Sequence, residues 1–152
     1  MSIKEVVIAI FTIIIDQIIK SIMQIYNVHL ILINNILSID YCYNQGAAWN
    51  ILSGHLYLLI LITIIMLVVI YSLMFSYKEN KLTNLSFGLL FGGVVSNLLD
   101  RIIFGYVRDF ISIGSFPVFN IADASIVVGV ILIIIISLKG DVKNEDKCRG
   151  RK

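Results

Sequence analysis

Charged side chains are scarce in this sequence, since Asp, Glu, Lys and Arg make up only 14% of the 152 residues while hydrophobic residues make up 59%. This balance excludes an ordinary soluble domain and is typical of an integral membrane protein. Proline occurs once, and no internal repeat or low-complexity tract interrupts the chain. We therefore expect one membrane domain over residues 1–152, without a linker or a separate soluble domain.

Several catalytic motifs are absent as well. The sequence has no glycine-rich phosphate cradle, no His/Cys cluster for zinc and no Gly-x-Ser-x-Gly elbow. Its two histidines, His29 and His55, lie in or next to an outward loop, and we do not expect a Ser–His mechanism. The cysteines Cys42 and Cys148 lack metal-ligand spacing and are expected on opposite sides of the membrane, where they cannot pair. We expect no metal and no other cofactor.

Four long apolar segments dominate the chain instead. They cover residues 4–26, 55–77, 82–104 and 118–139. Each is close to the ~20 residues that a helix needs to cross a bilayer. The remaining residues form two outward loops and a tail, at 27–54, 105–117 and 140–152. The predicted fold is an all-α polytopic membrane protein with four transmembrane helices.

The first outward loop has a strand-like pattern. Residues 29–33 and 36–43 are β-branched and aromatic runs on either side of Asn34 and Asn35. Such runs around a short polar turn are typical of a hairpin. We therefore predict a small extracytoplasmic β-hairpin, or β-cradle, between helices 1 and 2.

Basic residues are distributed unevenly between the two sides of this bundle. One side carries Lys4, Lys78, Lys81, Lys139, Lys143, Lys147, Arg149, Arg151 and Lys152, and the other half carries Lys20, Arg101 and Arg108. Because basic residues in short loops stay in the cytoplasm, both termini are expected to be cytoplasmic. No basic segment is interleaved with stacking aromatics, so we expect the tail to meet membrane lipid and not nucleic acid. The first helix has no small-residue cleavage site and is expected to be retained.

Two aspartates, Asp109 and Asp123, bracket the loop between the third and fourth helices. Ionised carboxylates near a bilayer are costly and therefore indicate function. Two carboxylates in a medium of low dielectric resist double ionisation, so one keeps a proton while the other is charged. Such a pair supplies a general acid and a general base in one site. The competing interpretation is that the aspartates cap helices or form ion pairs, Asp109 with Arg108 or Arg101.

Further polar residues converge on the same membrane edge. Asn97, Asp100 and Arg101 stand at i, i+3 and i+4 on the third helix and so share one face. Asn120 is three residues before Asp123 and is expected on the same face of the fourth helix. This convergence favours the catalytic interpretation of the aspartates over the structural one.

The motifs together resemble the bacterial lipoprotein signal peptidases, the signal peptidase II family of intramembrane aspartic proteases. The matching stretches are DQIIK at 16–20, NQGAAW at 44–49, GGVVSNLLDR at 92–101, GYVRDF at 105–110 and FNIAD at 119–123. They occur in the family's order and span most of the chain outside the second helix. One departure is Trp49, where the family usually has phenylalanine, and it concerns only the local shape of the substrate groove.

The resemblance implies roles for individual residues. Asp109 and Asp123 would be the catalytic dyad of an aspartic endopeptidase. Asp16 and Lys20 would form a pair that holds the first helix in the bundle. The residues that would bind substrate or support the site are Asn44, Gly46, Asn97, Asp100, Arg101, Asn120 and Ala122.

The resemblance also implies a substrate and a location. The enzyme would cleave prolipoproteins just before a cysteine that carries diacylglycerol. It would lie in the bacterial cytoplasmic (inner) membrane with its site near the outer face. It would work as a monomer and be a target of globomycin-like cyclic peptides.

Three other hypotheses remain open from the residues alone. A proton- or ion-coupled transport subunit would place its carboxylates near the bilayer centre, whereas these map to the outer half. A presenilin-like protease would have a Gly-x-Gly-Asp motif, which residues 106–109 lack. A packing protein would tolerate loss of both aspartates.

Overall fold

The computed structural model of the protein describes residues 1–140. It contains four α-helices: α1 (Ile3–Tyr26), α2 (Leu56–Met74), α3 (Lys81–Phe104) and α4 (Ile121–Leu138). All four are long and apolar enough to cross a membrane, which confirms the predicted fold class. The basic tail beyond residue 140, with Cys148, lies outside the described residues.

Local side-chain caps explain where these helices begin and end. Ser2 and Glu5 form a capping box at the start of α1, and Asn80 caps α3 by accepting a hydrogen bond from the Thr83 amide. α3 ends at Gly105, whose φ of 80° lies in the left-handed region that glycine adopts readily. This reversal turns the chain directly into the next strand. α4 begins at Ile121 because Asn120 caps it.

A small antiparallel sheet follows the order β1-β2-β3, with β1 at His29–Ile33, β2 at Leu37–Asn44 and β3 at Val107–Ile113. The first two strands are the predicted hairpin, which the structure confirms. The third strand corrects the sequence prediction, which treated residues 105–117 as a loop. Val107–Ile113 alternates apolar and polar residues only in part, and it becomes a strand by pairing along β2. That pairing places Asp109 opposite Cys42.

Close approach of α3 to two neighbours sets the geometry of the bundle. A Cβ atom at Gly92 would lie 2.7 Å from the Ala9 carbonyl oxygen of α1. A Cβ atom at Gly93 would lie 2.5 Å from the Ala122 carbonyl oxygen of α4. Only glycine permits such contacts, as is common between helices in lipid. α3 is therefore the central helix, and polar residues on it can reach both α1 and α4.

Charged residues are buried and apolar residues are exposed, which is the reverse of the pattern in a soluble protein. Asp16, Lys20 and Asp100 are completely buried, whereas Ile3 and Tyr57 are 84% and 86% exposed. A bilayer accepts apolar surface and penalises unpaired charge, so such a helix bundle keeps its charges inside. Asp16, Lys20, Asp100, Arg108 and Asp109 are buried at the end of the bundle that carries the sheet.

Candidate active site

The two predicted aspartates come from different kinds of element. Asp109 is the third residue of β3, and its side chain is only 2% exposed. Asp123 lies in the first turn of α4 and is half-buried. The fold of β3 against β2 and the start of α4 bring the two residues to the same end of the bundle.

Asp109 is held by two side-chain amides. Asn44, the last residue of β2, donates from Nδ2 to Asp109 Oδ2 at 3.0 Å. Asn120, the residue before α4, donates from Nδ2 to Asp109 Oδ1 at 2.6 Å. Both carboxylate oxygens therefore have a neutral donor. No described Lys or Arg lies within ion-pair distance of Asp109.

Asp123 is held in a closely similar way. Asn97 of α3 donates from Nδ2 to Asp123 Oδ1 at 2.7 Å, and the Asn120 backbone N–H donates to Asp123 Oδ2 at 3.2 Å. The Asn120 side chain in turn accepts from the Asp123 amide at 2.9 Å. Asp123 thus belongs to the capping box of α4, so the helix-cap interpretation describes its backbone role correctly. Its half-buried side chain still leaves room for a reactant.

Asn120 links the two carboxylates. Its Nδ2 donates to Asp109 Oδ1 and also lies 3.2 Å from Asn97 Oδ1, while Asn97 donates onward to Asp123. Asp109 and Asp123 therefore share one cluster of amides, formed by Asn44, Asn97 and Asn120. An amide orients a carboxylate without neutralising it, which is what a pair that exchanges a proton requires.

The surroundings of Asp109 favour its protonated form. Burial, and after it the negative charge of Asp123, raise the pKa of Asp109 from 3.8 to about 7. The hydrogen bonds from Asn44 and Asn120 work against this rise but do not cancel it. A carboxyl with a pKa near neutrality exchanges protons readily at physiological pH.

A second cluster of buried carboxylates lies beside the first, and here each carboxylate has a cation. Lys20 Nζ is 2.7 Å from Asp16 Oδ2 and 3.3 Å from Asp100 Oδ2. Arg108 forms an ion pair of 2.7 Å with Asp100. These four side chains are at most 2% exposed. The structure thus brings Asp16 and Lys20 together, as the i, i+4 spacing predicts.

This ion cluster fixes the backbone around the amide cluster. Asp16 accepts a hydrogen bond of 2.8 Å from the Ala122 amide, at the start of α4. Asp100 accepts a hydrogen bond of 3.0 Å from the Arg108 amide, next to Asp109. Lys20 donates to Asn97 Oδ1 at 2.8 Å, which orients the Asn97 amide so that its NH₂ group faces Asp123. The ion cluster therefore positions both aspartates indirectly.

Arg108 is the residue in this region whose role sequence reasoning missed. It does not pair with Asp109, as one interpretation suggested. It instead binds Asp100, Gln17 and Gln24, and its guanidinium lies 4.3 Å from the centre of the Phe104 ring. Its position in the GYVRDF motif, directly before an aspartate at a membrane edge, was the available signal.

Arg101 takes a different role from Arg108. Its guanidinium donates to the Gly46 carbonyl oxygen at 3.4 Å, while the Gly46 amide donates to Asn44 Oδ1 at 2.9 Å. A Cβ at Gly46 would lie 2.6 Å from the Ile51 carbonyl oxygen, so this position requires glycine. Gly46 and Arg101 thus join the 44–51 loop to α3 beside the aspartates.

Trp49 lies in the 44–51 loop, and Cys42 lies on β2 opposite Asp109. Trp49 is 69% exposed and makes an edge contact with Phe116 across a centroid distance of 5.9 Å. Cys42 is half-buried and free, and burial raises the pKa of its thiol. Within residues 1–140, no group of three or more His, Cys, Asp or Glu side chains is placed to hold a metal ion.

The arrangement as a whole has the form of an intramembrane aspartic protease: a bundle of four apolar helices with two amide-bound carboxylates at one end. Comparison with known proteins gives the family. The family model described as signal peptidase (SPase) II matches residues 8–139. The chain belongs to the signal peptidase II family and is a protease. This membership decides against the transport, presenilin-like and packing hypotheses.

Two curated relatives carry the name lipoprotein signal peptidase. One, from Staphylococcus aureus, is 40% identical over an alignment of 152 positions that covers 94% of this chain and 93% of the relative. Another, from Halothermothrix orenii, is 42% identical over 106 residues, covering 68% of this chain and 72% of the relative. The similarity to the first of them extends over nearly the full length of both proteins.

Two solved structures share the fold. Both are described as bacterial membrane enzymes determined by the in meso method, at 2.3 and 1.9 Å resolution. Each is 39% identical and covers 89% of this chain, with TM-scores of 0.79 and 0.77. The shares of those two chains that are covered are 87% and 92%.

Proposed function

We propose that this protease removes the signal peptide from diacylglyceryl-modified prolipoproteins and cleaves just before the lipidated cysteine. Its relatives are named for lipoprotein processing. The observation that carries the mechanism is the contrast in partners: Asp109 and Asp123 are bound by amides alone, without a described cation at ion-pair distance. Such a pair is free to hold one proton between its two members.

The chemistry follows from that shared proton. The ionised aspartate takes a proton from water while the water oxygen bonds to the scissile carbonyl carbon. The protonated aspartate gives its proton to the carbonyl oxygen. When the tetrahedral intermediate collapses, the carbon–nitrogen bond breaks and a proton passes to the leaving nitrogen. The products are a new carboxyl group on the signal peptide and a new amino group on the lipidated cysteine.

The surrounding residues have supporting parts in this proposal. Asn97 and Asn120 keep the two carboxylates in position, with Asp100 and Ala122 fixed by the ion cluster behind them. Asn44 contacts Asp109 and carries the loop that includes Gly46. Arg101 holds that loop through the Gly46 carbonyl, so we assign the loop to the substrate-contacting surface.

The proposed setting is the bacterial inner membrane, with both termini cytoplasmic and the dyad near the outer face. Lys4, Lys78 and Lys81 all lie at the end of the bundle remote from the sheet, as cytoplasmic retention of basic residues requires. Water then reaches the dyad from the outer side, and no channel is needed. The site is complete in one chain, which supports a monomer, and its cleft is the proposed target of globomycin-like cyclic peptides.

The test is cleavage of a diacylglyceryl-modified prolipoprotein by the purified wild type and by the variants Asp109→Asn and Asp123→Asn. Both variants should lose cleavage, and the wild-type cut should map before the lipidated cysteine. A matched control is Asp40→Asn, because Asp40 lies on the same sheet but bonds to His29 and Ser38. Near-normal turnover by either dyad variant would show that the two-carboxylate mechanism is wrong.

A further inference from the structure

A groove with a volume of about 330 Å³ opens on the lipid-facing side of the bundle. Its walls come from α2 and α4, its floor from α3, and its lining consists of apolar side chains such as Ile65, Met66, Leu90, Ile126 and Val130. α2 and α4 each pack on α3 but make few contacts with each other, which leaves the gap between them.

The groove lies along α4 on the same face as Asp123. Ile126 and Val130 follow Asp123 at i+3 and i+7, so they lie on the same face of α4. At 1.5 Å per residue they are roughly 5 and 10 Å further along the helix axis than Asp123. On α3, Leu90 stands seven residues before Asn97, the residue that donates to Asp123. The groove therefore begins about one helical turn from the proposed catalytic carboxylate.

Helix packing prevents α4 from closing the groove. A Cβ at Gly93 would lie 2.8 Å from Ile126 Cγ1, which shows how tightly α4 is seated on α3 there. α4 thus cannot move closer to α3 to fill the space. Leu90 also belongs to the buried cluster with Ile70, Phe87 and Val94, so the floor is anchored in the core.

We infer that this groove holds one acyl chain of the substrate's diacylglyceryl group. The inference rests on the proposed function, because it requires a lipidated substrate. The lipid is attached to the residue next to the scissile bond, so its acyl chains start one thioether and one glyceryl linkage away from the scissile nitrogen, a reach comparable to the distance between Asp123 and the groove lining. The entirely apolar lining offers no hydrogen bond and suits a hydrocarbon chain.

The dimensions favour an acyl chain over the signal-peptide helix. A helix with side chains is about 10–12 Å wide and would enter a groove of this volume only in part. A single row of methylenes is much narrower. Because lipid tails are as apolar as the groove, burial alone gives little affinity in the membrane. The groove instead orients the lipidated cysteine relative to the aspartates, which acts on the rate of cleavage.

The first experiment narrows the groove without touching the aspartates. Val130 and Val128 lie on the same helix with similar exposure, 43% and 46%, but only Val130 is in the lining. Lipopeptides with long and with short acyl chains are cleaved by the full-length variants Val130→Trp and Val128→Trp. We expect Val130→Trp to lower kcat/KM roughly tenfold for the long-chain substrate and to have little effect with the short one. Val128→Trp should match the wild type with both.

A second experiment does not depend on turnover. A long-chain lipopeptide with a photoreactive group in one acyl chain is bound to Asp109→Asn, and the labelled residues are identified by mass spectrometry. Labels on Ile126, Val130 or Met66 in excess over Val128 support the inference even if cleavage itself fails. Equal labelling of Val128 and Val130 would mean that the chains only mix with membrane lipid. If a photoreactive group in the signal-peptide helix labels the groove and the one in the acyl chain does not, the helix is the occupant. Either result overturns the inference.

Discussion

The two clusters of carboxylates at the sheet end of the bundle differ in the groups that bind them. Asp16 and Asp100 are each within 3.3 Å of a buried cation. Asp109 and Asp123 receive hydrogen bonds from neutral groups, Asn44, Asn97 and Asn120. A carboxylate with a cation stays ionised and holds structure, whereas one bound by amides can change its protonation state. We therefore expect the aspartates of the ion cluster to serve stability, and we propose that Asp109 and Asp123 serve chemistry.

The largest expected effect on cleavage comes from removing the carboxylate charge of Asp109 or Asp123. Asp109→Asn and Asp123→Asn should each lower the cleavage rate by at least roughly 10³-fold, because an acid or a base is lost. Neither change breaks an ion pair, and asparagine keeps one of the two accepted hydrogen bonds, so the free energy of unfolding should fall by at most about 1–2 kcal/mol, less than the loss expected in the ion cluster. Cleavage assays paired with unfolding of the same samples in detergent check both parts. If the variants lose folding together with activity, Asp109 and Asp123 have a structural role like that of Asp16 and Asp100.

The opposite result is expected in the ion cluster. Lys20→Met leaves Asp16 and Asp100 buried with less compensation, and the free energy of unfolding should fall by about 3–5 kcal/mol. The double variant Asp16→Asn/Lys20→Met should lose less than the sum of the two single changes, since it leaves no isolated charge at that pair. Equilibrium unfolding of the four proteins gives the coupling energy. Additive effects would contradict the ion-pair role.

The free energy of unfolding should also depend on pH through Asp109. The pKa of Asp109 is raised from 3.8 to about 7, so the folded protein binds this proton more tightly than the unfolded chain does. Stability from this group is present at low pH and is lost between about pH 4 and 7, by about 1.4 kcal/mol per pH unit. Asp109→Asn cannot titrate and should lack this loss. Parallel stability curves for the variant and the wild type would contradict the assignment.

The smallest effect is expected from Arg108→Lys. A lysine keeps the charge next to Asp100 but cannot reach Asp100, Gln17 and Gln24 together, as the guanidinium does. We expect a loss of about 1–2 kcal/mol in unfolding free energy, equivalent to one or two hydrogen bonds. Arg108→Met is the matched comparison and should cost more. Equal losses from both would mean that the charge contributes little.

Much of this organisation could be predicted from the sequence. The apolar segments predicted four helices because their length matches a bilayer, and the runs around Asn34 and Asn35 predicted the hairpin. The pairing of Asp16 with Lys20 follows from one helical turn of spacing. In each of these cases, local periodicity or a short-range interaction determines the structure.

The features that the sequence did not predict depend on contacts between distant parts of the chain. β3 forms by pairing with a strand more than 60 residues earlier, and its own residues gave no clear strand pattern. Arg108 meets Gln17 across 91 residues, and Ser96 meets Asp16 across 80. Such pairs arise from the packing of α3 and β3 on α1, which composition and spacing do not specify. The roles of Asp109 and Asp123 remain a prediction that the variants above test.

The spacing of Asp16 and Lys20 has a consequence for how the protein is made. Only these two charges lie in the interior of α1, and their later partners Asp100 and Ala122 are synthesised 80 or more residues afterwards. Because they are one turn apart, they can neutralise each other while the first helix enters the bilayer alone. The same pair then binds Asp100 of α3 and the Ala122 amide of α4 after these helices have been synthesised. A contact that holds the finished bundle together thus also lowers the cost of inserting its first segment.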